Sequence, residues 1–322
     1  MARRAISATI VMLLGLAVQA PAQEVTLKWE FQKDKPIYQE LTTVTKQTMK
    51  VMGMDITQNN TQTFIFSWTP KDQDPTTKNW VIVQKLVAVK METEIGGVKT
   101  SYDSTATATQ ASGNALGEFF KALVGSEFKV TLTPDLKITK IDGRDEFVQK
   151  LVRANPTMES ILKQILGDEA LKQMADPAFA AIPSKPVKKG DTWEKKLNLN
   201  MGPIGTYDTT NTYTYEGKDG KFEKIGVKTA LKYIAPGPAA AGALPFKIKA
   251  GTELTSKSAT GTIFFDNEKH RLDHSEMKLN LDGKLDIDVG GTSTEVQLNM
   301  DQTTTVKISE TDPIAPVAPV KK

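Results

Sequence analysis

Residues 269–283 read K-H-R-L-D-H-S-E-M-K-L-N-L-D-G and hold both histidines of the chain. Wound as a helix, the segment would set His270 and His274 on one face, the spacing with which H-E-x-x-H helices grip zinc. Drawn out as a strand, it separates them by ~13 Å, too far for one ion. The residues that follow decide between the two. Met277, Leu279 and Leu281 alternate with Lys278, Asn280 and Asp282, a period of two and the mark of a half-buried strand. Arg271 also stands where a zinc helix would carry its catalytic glutamate. The expectation is two solvated strand histidines and no metal site.

The same period recurs through most of the chain. Val25, Leu27, Trp29 and Phe31 alternate with polar residues, which predicts a first strand. Strands are also expected over Tyr38 to Val51, over Ile56 to Trp68 with T-F-I-F-S-W (63–68) at its end, and over W-V-I-V-Q-K-L-V-A-V-K-M-E (80–92) with a partner reaching Thr109. P-K-D-Q-D-P (70–75) is expected to break the second of these. Threonine fills many of the polar positions, as suits a pleated, solvated face. After residue 186 strands return at 186–200, 206–216, 222–234, 252–265, 270–281, 284–289 and 293–308. A Pro/Ala/Gly loop lies at 235–245, and Asp282-Gly283 is taken as a hairpin turn.

The middle third differs. G-N-A-L-G-E-F-F-K-A-L-V-G (113–125) reads as a short helix stopped by Gly125. T-P-D-L-K-I-T-K-I-D-G (133–143) carries the turn of a hairpin over 127–143. Helices follow at 144–156, 157–166 and 168–175, each with one apolar stripe to bury. The predicted fold is mainly β (α+β): a large curved antiparallel meander sheet or half-barrel, with a helical insert at about 113–182 on its concave face.

Arg3 and Arg4, the apolar run Ile6 to Val18 and the A-x-A site Ala20-Pro21-Ala22 have the anatomy of a cleaved signal peptide over residues 1–22. That predicts export to the periplasm or beyond. No later run has the length of a membrane-crossing helix, and with no cysteine in the chain there is no thiol for a lipid anchor, a disulfide or a thiolate metal site. Residues 23–308 are expected to form one β-rich domain, and the Pro-rich 309–322 a solvated tail. A formal net charge of +3, spread without a basic block, leaves nucleic-acid binding no electrostatic footprint.

Chemistry is scarce. No G-x-S-x-G is present, and no cofactor motif. A carboxylate pair for glycoside hydrolysis stays open, although aromatics at 7% offer few stacking platforms. G-D-T-W (190–193) reads as a turn followed by a core tryptophan. The space between helices and sheet has two outcomes. The helical stripes complete a core, or they wall a cavity for a lipid or other apolar small molecule, lined by Phe119, Phe120, Leu123, Phe147, Leu151, Ile161, Leu162 and Ile165 and capped by the 235–245 loop.

The leader, the Thr-rich meander, the 133–143 hairpin ahead of helices, and V-K-K-G-D-T-W (187–193) together resemble a family of exported bacterial proteins known as a domain of unknown function, over about residues 24–308. The resemblance implies no activity, cofactor or catalytic residue. At the level of the fold the layout is also similar to the periplasmic lipoprotein carriers, whose half-open barrel wraps helices. Three functions follow as expectations: a non-enzymatic envelope protein holding an apolar ligand, an interaction protein using its strands and tail, and a hydrolase with an unrecognised carboxylate site. A transmembrane barrel is disfavoured, because Lys and Thr occupy strand positions that would have to face lipid.

Overall fold

The computed structural model describes residues 24–106, 115–175, 179, 181–237 and 246–315. The leader, the strand end expected at Thr109, most of the 235–245 loop and the end of the tail lie outside the described residues. The first arm of the chain runs through β1 (Ile37–Val51), β2 (Met54–Gln73), β3 (Trp80–Ile95), β4 (Val98–Asp103), α1 (Ala115–Leu123), β5 (Glu127–Leu132) and β6 (Ile138–Asp142). Three helices follow: α2 (Arg144–Ala154), α3 (Glu159–Ile165) and α4 (Asp168–Ala175). The second arm is β7 (Thr192–Asn200), β8 (Thr206–Asp219), β9 (Phe222–Ile234), β10 (Lys247–Ile248), β11 (Glu253–Asp266), β12 (Arg271–Val289) and β13 (Thr292–Ser309).

All the strands join one antiparallel sheet in the order β6-β5-β3-β2-β1-β13-β12-β11-β9-β8-β7, with β4 beside β3 and β10 beside β12. The first and last strands pair at the centre, Leu41 opposite Val306. The first arm works outward to one edge, and the second returns from the other. The helices α2 to α4 are the crossover between the two edges. Helix α4 contacts both β6 and β7, so the sheet curls until a helix bridges the edges that hydrogen bonds leave open. Residues from both arms share one core: Trp68, Ile82, Val130 and Leu132 from the first, Tyr213, Ile225, Phe265 and Leu272 from the second. The mainly β fold with a helical insert is as the alternation predicts.

Three local expectations are corrected. Residues 25–31 keep their alternation, with Leu27 and Trp29 buried and Thr26, Lys28 and Glu30 exposed, yet they do not enter the sheet. They form a strap held by paired bonds between Val25 and Val187, by the Glu30 N–H to the His270 carbonyl at 2.9 Å, and by the Asp34 N–H to the Pro70 carbonyl at 2.7 Å. The inner row packs on the core, so burial satisfies the period that a sheet partner was expected to satisfy. Second, Pro70 does not end β2; the strand continues to Gln73 through a register shift between Pro70 and Asp72, the irregularity at which a strand tolerates a residue without an N–H.

Third, Asp282-Gly283 makes no turn. β12 runs unbroken through it, Gly283 lying between Leu254 and Leu298. A Cβ on Gly283 would collide with the Glu253 carbonyl and the Leu254 backbone. Here glycine permits close approach of a neighbouring strand rather than a left-handed turn. Met52-Gly53 is the contrasting case: both residues have positive φ, 50° and 84°, as the tight hairpin between β1 and β2 requires.

Candidate functional site

The inner face of the sheet is assembled by register. On β2, Phe64, Phe66 and Trp68 project to one side, two residues apart. Phe64 stands opposite Leu41 and Phe66 opposite Gln39. From Leu41 the row continues through Val306, Ser275 and Ile263. Trp68 leads the other way to Gln84 and then Phe128. These side chains, with Met277, Val227 and Tyr213 from the second arm, Trp29 and Phe31 from the strap, and Phe147, Leu166 and Leu171 from the helical crossover, surround a cavity of ≈ 580 Å³. The space between helices and sheet is therefore hollow.

Among the described residues no Asp, Glu, Lys, Arg or His contributes to the wall. Its polar side chains are neutral: Gln39, Gln84, Asn211, Tyr213, Ser275 and Thr304, with the indoles of Trp29 and Trp68. Gln39 Oε1 accepts the Trp68 indole N–H at 2.9 Å, and Asn211 Oδ1 accepts the Thr229 hydroxyl at 2.6 Å. The Trp29 indole N–H is buried without a partner among the described residues. Phe179 fixes the aromatic corner of the wall. The rings of Trp29 and Trp68 meet it edge-on, at 5.2 and 5.6 Å between centroids, a favoured aromatic geometry.

Of the residues expected to line a cavity, Phe147 does so. Phe119, Phe120 and Leu123 pack instead against Leu86, Val89, Met91 and Tyr102, where α1 covers β3 and β4. Leu151 and Leu162 are fully buried and Ile165 half-buried, none of them at the cavity wall; the side chain of Ile161 lies outside the described residues. The helical stripes mostly complete the core, and the sheet supplies most of the wall. The signal was present in T-F-I-F-S-W, an aromatic row on one strand face, but its partners come from strands distant in sequence.

The histidines do not converge on an ion. His270 falls in the turn before β12 with φ 51°, one place short of the strand expected to hold it. Its Nε2 lies 3.9 Å from Glu30. His274 is on β12, bonded to Asp273 at 2.8 Å and stacked on Phe264 at 4.3 Å. Among the described residues no group of three or more His, Cys, Asp or Glu is arranged to hold a metal.

Two carboxylates are fully buried, Glu223 and Asp266. Glu223 accepts the Tyr215 hydroxyl at 2.5 Å, and burial together with that carboxylate pushes the Tyr215 phenol well up. Asp266 accepts the Glu268 and Lys269 N–H groups at 3.1 and 3.0 Å, closing the β11–β12 turn, and meets the Lys221 ammonium at 3.3 Å. Glu223 pairs with Phe265 and Asp266 with Phe222, so the pleat sends the two acids to opposite faces. Neither reaches the cavity wall.

A family model described as a family of unknown function, DUF6263, matches residues 77–270, more than half of the chain. The chain belongs to the DUF6263 family. The DUF6263 match runs from the start of β3 to the β11–β12 turn, within the expected 24–308. It takes in the helical crossover, and it leaves out the strap and the central β1–β13 pair that complete the cavity. No curated protein matches the sequence.

Three solved structures bear a distant likeness to this DUF6263 chain. A structure of lipovitellin, titled for its lipid–protein interactions, is 9% identical over 91% of this chain and 27% of that one, with a TM-score of 0.40. DynF from the dynemicin biosynthesis pathway of Micromonospora chersina is 11% identical over 92% of each chain, with a TM-score of 0.21. OccK5 (OpdH) of Pseudomonas aeruginosa is 5% identical over 87% of this chain and 100% of that one, with a TM-score of 0.24. The chain thus spans about a quarter of the lipovitellin chain. Likenesses at these scores carry no functional weight. Among the described residues no helix is long and apolar enough to cross a membrane.

Proposed function

We propose that this is an exported, non-enzymatic protein of the cell envelope that holds an apolar, lipid-like ligand between its curved sheet and its helical crossover. The observation that carries this is the ≈ 580 Å³ cavity, walled by aromatic and aliphatic side chains with a few neutral polar groups. That is the size and chemistry of a small-molecule pocket, whereas interiors without such a role are packed with few voids larger than a water molecule. The leader-like residues 1–22 support export. Among the described residues the wall carries no ionisable side chain other than Tyr213 and the two buried acids point to opposite faces, which supports binding over catalysis, because a hydrolase needs converging groups of suitable pKa.

The test is uptake of N-phenylnaphthylamine, which fluoresces on entering apolar surroundings, with native mass spectrometry of the chain purified from its own source. Saturable dye binding and a co-purifying small molecule are the expected results. Ile263→Trp, placed in the middle of the wall, should remove dye uptake while the circular dichroism spectrum stays that of the parent. No dye binding by the parent chain, or undiminished binding by the filled variant, sinks the proposal.

A further inference from the structure

Resting on that proposed cavity function, we infer that the ligand is a single-chain, uncharged amphiphile, whose neutral polar end sits at the aromatic corner around Gln84 and Gln39. Three independent features of the wall define it.

The first is charge. Among the described residues no basic or acidic side chain faces the cavity. A carboxylate or phosphate entering it would lose its hydration and find no counter-ion, a cost that excludes ions from unpaired apolar sites.

The second is unmet hydrogen-bonding capacity, with two amides beside one indole. Gln84 makes no side-chain hydrogen bond to another described residue, and it stands opposite Trp68 in the β2–β3 ladder. Gln39 uses its carbonyl oxygen on the Trp68 indole, which leaves its amide N–H groups unengaged among the described residues. The Trp68 ring, paired with Gln84 across the β2–β3 ladder and bonded to Gln39, packs edge-on against Phe179. Polar groups left without partners on an apolar wall are rare. An ester, amide or hydroxyl supplies both the acceptor and the donor that this corner lacks. Away from it the wall is mostly apolar, with Leu41, Phe64, Ile263, Met277 and Val306 broken by Asn211, Ser275 and Thr304, which suits a hydrocarbon tail.

The third is size. At ~30 Å³ for each water-sized group, a cavity of ≈ 580 Å³ has room for about twenty such groups. That fits one chain with a small head, and the second chain of a phospholipid would lie outside it.

The test is displacement of N-phenylnaphthylamine from the full-length chain by four competitors: monopalmitoylglycerol, hexadecanol, palmitate above neutral pH where its carboxyl is ionised, and dipalmitoylphosphatidylcholine. The two neutral single-chain compounds are expected to compete at least about tenfold better than palmitate or the phospholipid. Gln84→Leu should weaken monopalmitoylglycerol by about five- to tenfold, the worth of one neutral hydrogen bond, and by more than it weakens the dye, while the circular dichroism spectrum and melting temperature stay those of the parent. That last condition separates a lost polar contact from a damaged fold. Palmitate or phospholipid competing as well as the neutral compounds overturns the assigned ligand class while the cavity function stands. Equal loss of dye and glyceride binding in Gln84→Leu overturns the polar corner. A parent chain that binds no dye overturns both.

Discussion

At the scale of single residues, the same residue type serves opposite ends, and the neighbours decide which. Gly53 provides the left-handed backbone of a turn, whereas Gly283 makes room for the Glu253 carbonyl on the adjacent strand. Gly283→Val should therefore cost about 1–3 kcal/mol, as overpacking does, measured by urea denaturation, while Gly53→Asn should cost much less because asparagine tolerates positive φ. Asp266 makes a second prediction. Burial acts to raise its carboxyl, but the Lys269 N–H, the Lys221 ammonium and the Glu268 N–H outweigh this and hold it below the usual aspartate range. A depressed folded value means that the contribution to stability is complete above the unfolded aspartate pKa of about 3.9 and is lost as pH falls through the folded value. Asp266→Asn should thus unfold at lower denaturant than the parent near neutral pH, and the gap should narrow below about pH 4. A gap independent of pH would show that the turn geometry, not the charge, is what Asp266 supplies.

At the scale of elements, alternation was legible and its partner was not. The period of two found the long strands, though it split β12 at Asp282-Gly283, because a half-buried sheet imposes it wherever the strand lies. Over 25–31 the same period produced a strap instead of a sheet strand, since a hydrophobic row is equally satisfied by any apolar surface. Helix α4 is another element whose role is set by what it touches. It spans the edges β6 and β7 with Ala170 buried and Leu171 at the cavity wall, and it is a short helix that packing alone must hold. Hydrogen exchange should find the amides of α4 and β6 opening well before those of β1 and β13, which are paired on both sides along their length. Added monopalmitoylglycerol should slow exchange in α4. An α4 as protected as β1 in the free protein would show that its packing across the two edges holds it as firmly as the central ladder holds β1.

At the scale of the whole molecule, the chain leaves its central strand for one edge, crosses by helices, and returns to pair its last strand with its first. A curved sheet closed this way need not fill its interior, and the space left is the candidate site. A ligand that binds only the folded form stabilises it by mass action, about 2.7 kcal/mol at a hundredfold excess over Kd. Monopalmitoylglycerol at that excess should raise the melting temperature of the parent and leave Ile263→Trp unmoved; equal shifts in both would place binding outside the cavity. The walls of this site were only partly readable from the sequence. Phe147 was found from its helical stripe, but Phe119, Phe120 and Leu123 belong to a separate packing layer, because a stripe shows that a helix buries one face and not what that face meets.

The order of side chains by itself determined that the molecule is a ribbon of antiparallel strands with a helical insert, and which strand faces are apolar. These follow from periods of two and of about 3.6, which are local properties of the backbone. Only the tertiary structure decided that β1 lies beside β13, that α4 joins the two edges, and that Trp29, Trp68, Gln84 and Ile263 look into one shared space. Register between segments far apart in the chain sets those juxtapositions, and a one-residue slip would turn every such side chain to the opposite face.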